Sequence, residues 1–94
     1  MSAWDDLMAW VDAHANGDVP GDAEADLLAL VQRAQADRSV DRELHAPDVA
    51  RWLVGLVLGH AELRRRTPRI DADLDQADLR LIVTRWLHPA RPSV

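Results

Sequence analysis

Apolar positions along this chain recur every three to four residues, and no segment alternates with period two for long enough to make a strand. Trp4, Leu7, Met8 and Val11 stand at i, i+3, i+4 and i+7. They follow Ser2, which with Asp5 makes a capping-box pattern, so a first helix is expected over 2–15. The segment NGDVPGD, 16–22, sets Gly and Pro at turn positions and ends it. Asp22 is placed to cap a second helix, 22–37, whose stripe is Leu27, Leu30, Val31 and Ala34. The segment RSVDRELHA, 38–46, is polar apart from Val40, Leu44 and its closing Ala46, and reads as a connector with a short helical turn near 40–45.

Pro47 suits the first position of a third helix, 47–66, with Ala46 extended before it. From Val49 to Leu58 this helix is apolar nearly all round, as expected of the central helix of a bundle. Thr67 and Pro68 close it, a fourth helix follows over 70–88, and 89–94 is expected to fray. The fold class is therefore all-α: one compact domain, 1–88, built as a bundle of four main helices. The fourth helix carries two apolar stripes that point nearly opposite ways, Leu79, Ile82, Val83 and Trp86 against Ile70, Leu74, Ala77 and Leu81. The second begins among Asp71, Asp73 and Asp75, which want water, so it is expected to be the outer one.

With 94 residues the chain is one small domain that can bury a core without a metal or disulfide. Phe, Tyr and Cys are absent, so aliphatic side chains and Trp4, Trp10, Trp52 and Trp86 must build that core. The lack of Cys removes disulfides, thiolate catalysis and cysteine-ligated metals. Acids occupy the start, where a secretory leader needs a basic region. The longest uncharged helical run, 52–61, is half a membrane span, so a cytoplasmic location is expected. A net charge of −5 counts against binding a phosphate backbone.

Asp71, Asp73 and Asp75 match the first ligand positions of an EF-hand calcium loop. The sixth position needs Gly and holds Gln76, and the twelfth needs a carboxylate and holds Ile82. The stretch reads instead as a helix start, with Asp71 or Asp73 capping and Gln76 completing a capping box with Asp73. His60-Ala61-Glu62 resembles the H-A-E of zinc nucleobase deaminases, but the later P-C-x-x-C those enzymes need is missing. The structural reading has Glu62 paired with Arg66, and His60 on the stripe of Val49, Leu53, Leu56 and Val57, as a core or rim histidine with a hydrogen-bond partner. His14, His45 and His88 show no metal-ligand spacing, and neither Ser2, Ser39 nor Ser93 sits in G-x-S-x-G. In size and acidity the chain is similar to acyl carrier proteins. Asp37-Arg38-Ser39-Val40 departs from their D-S-L phosphopantetheine motif. No enzyme, cofactor or metal is expected.

Gly55 and Gly59 form G-x-x-x-G, for which close approach of another helix or of an indole is the expected reason, with a ligand slot as the sharper one. Arg64, Arg65, Arg66 and Arg69 gather at the end of the third helix, where cations favour its dipole. The surplus apolar stripe points to a protein-interaction module: an adaptor, an inhibitor or a homodimerising domain. Its expected partner-facing residues are Ile70, Leu74, Leu81 and Trp10, with Arg64, Arg65 and Arg69 as a polar rim. The alternative is a nucleic-acid-associated regulator or a nucleic-acid mimic of the kind phages encode, related to defence. Another protein or a second copy is the expected partner, rather than nucleic acid or a membrane.

Overall fold

The computed structural model describes residues 2–67 and 71–89, and among them four helices and no strand. The helices are α1 (Ala3–His14), α2 (Ala23–Ala36), α3 (Ala46–Arg66) and α4 (Ala72–Leu87), all within two residues of the expected spans at either end. Their ends follow local chemistry. The Ser2 hydroxyl accepts from the Asp5 N–H at 3.1 Å while the Asp5 carboxylate accepts from the Ser2 N–H, the expected capping box. Asp71 caps α4 by accepting from the Asp73 N–H at 3.0 Å. That puts Leu74 at the capping-box position, so Gln76 is no partner of Asp73 and instead donates to Asp12 on α1 at 3.2 Å.

Two expected ends differ. Asp22 stands at the start of α2 without a side-chain cap, because its ψ of 11° is far from the extended backbone that swings a carboxylate over the first turn. In α3 the extended residue is His45, and Ala46 already belongs to the helix, so Pro47 lies one residue further in. The connector carries the single turn foreseen, closed by the Leu44 N–H on the Asp41 carbonyl at 3.2 Å. Gln35 fastens it to α2 by donating to the carbonyls of Asp41 and Leu44, which seats Val40 in the core. Arg38 ends α2 in the left-handed region, φ 69°, where the Ser39 and Val40 N–H groups return to the Ala34 carbonyl.

Leu7, Val11, Leu27, Val31, Leu53, Val57, Val83 and Leu87 are among the fully buried side chains, so every helix sends one stripe inward. Helix α3 packs on the other three. It is not enclosed by them: Trp52 is 58% exposed and Leu63 56%, so one long side of the expected central helix is open. On α4 the inward line is Asp75, Leu79, Val83 and Leu87. Ile82, expected inside, is 53% exposed. Steps of four select a line rotated from the expected stripe, and the rotation brings Leu87 in and takes Ile82 out. No tryptophan is fully buried; Trp4 lies over His88, with ring centres 4.1 Å apart.

Candidate interaction face

A groove runs along the seam of α3 and α4. From α3 it is lined by Trp52, Leu56, Gly59 and Leu63, at i, i+4, i+7 and i+11, with Gly55 beside them. From α4 come Asp78, Ile82 and Trp86, four residues apart, above Asp75 and Leu79. It has two adjoining hollows: one of about 320 Å³ over the glycines, and one of about 260 Å³ between Trp52 and Trp86, which share Leu56 and Ile82.

Of the two reasons expected for the glycines, close approach fails and an open slot is what remains. A Cβ built on Gly55 or Gly59 meets nothing within 4 Å, so no helix or indole approaches them and the expected close contact is absent. Each costs roughly 1 kcal/mol in a helix relative to Ala, and no packing among the described residues offsets it. What their missing side chains leave is open groove.

At the floor of the groove lies His60, 9% exposed. Its Nδ1–H donates to the Ala15 carbonyl at 2.7 Å, closing one of the unpaired carbonyls at the end of α1. The expected core histidine with a partner is thus observed. Its Nε2 is buried without a hydrogen-bond partner among the described residues.

The expected partner-facing residues divide. Leu74, 54% exposed, and Leu81, 47% exposed, stand on the outer side of α4, adjoining Asp78 and Ile82 at the rim of the groove. Ile70 and Arg69 lie outside the described residues. Trp10 is elsewhere: half-buried, it stacks on His14 with ring centres 4.3 Å apart, and on α1 it points nearly opposite to Asp12, whose carboxylate holds Gln76 and Arg80 of α4. The rim assigned to arginines is also displaced. Arg65 and Arg66 both engage Glu62, Arg65 borders a hollow beside Asn16 and Asp18 on the far flank of α3, and Arg64 continues the inward line of α3, half-buried.

Trp52, Leu63 and Ile82 were missed as surface residues. The signal for the first two was present as a second stripe on α3 running past both glycines, hidden because that helix is apolar on nearly every side.

Other chemistry is sparse. Among the described residues no group of three or more His, Asp or Glu side chains could hold a metal ion, and no helix is long and apolar enough to cross a membrane. Millimolar calcium should therefore leave the thermal midpoint unchanged; a rise specific to calcium would restore the ion-site reading of Asp71, Asp73 and Asp75. Ser39 follows α2 instead of opening a helix, and its hydroxyl donates to the Asp37 carboxylate at 2.7 Å. That bond, with the Ser39 N–H and Arg33, holds the Asp37 carboxyl below its ordinary range. Compared with protein-family models, curated proteins and solved structures, the chain matches none.

Proposed function

We propose that this protein is a small interaction module that docks another protein chain on the seam and outer face of α3 and α4. One observation carries the reading. The large apolar side chains that stand exposed among the described residues all belong to these two helices, and five of them, Trp52, Leu63, Leu74, Leu81 and Ile82, border the groove or the adjoining face of α4. Helices α1 and α2 contribute none, so the surplus is concentrated where a partner would cover it. Burying such side chains at about 1.5–3 kcal/mol each is enough to offset the cost of association. Glu62 engages two of the clustered arginines, which leaves the nucleic-acid alternative with less support.

The test is comparative capture from the native host. Wild type and a Leu81→Asp, Ile82→Asp double variant are used as bait, with helicity checked by circular dichroism. Proteins retained by wild type, the chain itself included, should be lost by the folded variant. An identical set from both baits would place the docking surface elsewhere.

A further inference from the structure

The imidazole of His60 reaches from the end of α1 to the floor of the hollow over Gly55 and Gly59. A carbonyl can only accept, so the bond to Ala15 at 2.7 Å puts the proton of the neutral ring on Nδ1 and leaves Nε2 with a lone pair. The two ring nitrogens point away from one another. With Nδ1 turned to α1, the Nε2 edge therefore faces the hollow that His60 lines. His60 is only 9% exposed, and its Nε2 has no hydrogen-bond partner among the described residues. A buried acceptor left unpaired costs its full desolvation penalty, which a donor brought to it would offset.

The walls restrict what else that donor carries. Leu56, Leu63, Leu79 and Ile82 are apolar, and the bare backbone at the two glycines is open to a flat group. At about 320 Å³ the hollow exceeds the roughly 150 Å³ in which an apolar cavity holds benzene, so one ring or two fused rings fit. The hydroxyl of serine or threonine comes on too small a body to fill it. A lysine or arginine would have to leave water for apolar walls, and Asp75 and Asp78 at the border already have interactions within the chain. A carboxylate would meet an acceptor and two acids.

Taking the seam as the docking face, we propose that this hollow receives the anchor residue of the partner protein, a tyrosine or tryptophan whose O–H or N–H donates to Nε2 of His60 while its ring lies over Gly55 and Gly59. Such side chains combine a large apolar body with one polar edge, which is why they recur as anchors in interface pockets. The ring belongs to a protein and not to a free aromatic molecule because the hollow is open. Leu63 and Ile82 at its border are more than half exposed, and Trp52 carries the apolar line beyond it, so covering them takes a larger partner.

The experiment is an NMR titration of the full chain, with amide and histidine ring nitrogens labelled, against indole and p-cresol as the bare side chains. N-methylindole and p-methylanisole, in which a methyl group replaces the donated hydrogen, are the controls. Indole and p-cresol should bind about tenfold more tightly than their methylated counterparts, the worth of one hydrogen bond. They should move the amide signals of Gly55 and Gly59 and shift the Nε2 signal of His60 upfield. Gly59→Leu, whose side chain has room to enter the hollow, should stay helical and lose this binding. As bait in the native host it should also lose the proteins that wild type captures. Failure of indole and p-cresol to bind, or equal affinity for the methylated probes, overturns the inference. If they bind as expected while the Gly59→Leu bait retains every protein, the occupant is a free aromatic molecule and the partner's anchor is the wrong source. Should they fail to bind while the Leu81→Asp, Ile82→Asp bait still loses captured proteins, the docking face stands and the aromatic anchor does not.

Discussion

Replacing Leu53 by Ala should lower the unfolding free energy by about 2–5 kcal/mol, measured by denaturant titration at constant m-value. Leu53 has no exposed surface and sits on the inward line of α3, the helix that packs on all three others. Truncation leaves a cavity that three neighbours would have to close together, so relaxation is limited. For a domain of this size such a loss is a large share of the roughly 5–15 kcal/mol that holds it folded. Leu56, half-buried on the groove, supplies the internal comparison. Leu56→Ala should cost clearly less, since its cavity would open to water. Equal losses, or none, would mean that the inward side of α3 has been assigned wrongly.

Gly17→Ala should be the second large effect, about 2–4 kcal/mol, from two additive causes. Gly17 has φ +87°, where a side chain is strained, and a Cβ there would lie 2.7 Å from the Ala61 methyl of α3. A methyl group on a helix has no rotamer by which to move aside, so the turn itself must shift. That turn follows Ala15, whose carbonyl takes the His60 hydrogen bond, so the shift would loosen the join of α1 to α3 as well. Gly55→Ala and Gly59→Ala should behave in the opposite sense. With open space at both, each is expected to raise stability by roughly 0.5–1 kcal/mol through helix propensity. Thermal melts of the three variants side by side check the contrast, which separates a glycine the fold requires from two it does not.

What could be read from the sequence was what acts within one or two turns. Ser2 with Asp5, Asp71 with the Asp73 N–H, and Glu62 with Arg66 are contacts between residues two to four apart, and all three were legible. Four helices follow from the same short-range periodicity. Direction was harder. The expected and observed inward lines of α4 share Leu79 and Val83 and differ by a modest rotation, which settles whether Ile82 or Leu87 is inside. On helix α3 the expected stripe of Val49, Leu53, Val57 and His60 is buried, with Leu56 half-buried; what an all-round apolar helix does not show is which other flank stays open, and the placement of α4 decides that. Trp10 fails for a similar reason, since its neighbours do not reveal that α4 packs on the opposite flank of α1. The outer position of Leu74 and Leu81 was read correctly, but one of the three acids taken to want water, Asp75, is buried on the inward line, so only the exposure of Asp71 and Asp73 agrees with the reason given.

The central claim, that this protein docks through α3 and α4, is tested most directly by site-specific photo-crosslinking in the native host. A photoreactive amino acid replaces Leu63 or Leu81 on the proposed face, or Gln32 on the exposed side of α2 as a control. The account predicts discrete adducts from positions 63 and 81 and none from 32. Adducts from position 32 with none from 63 or 81 would contradict it.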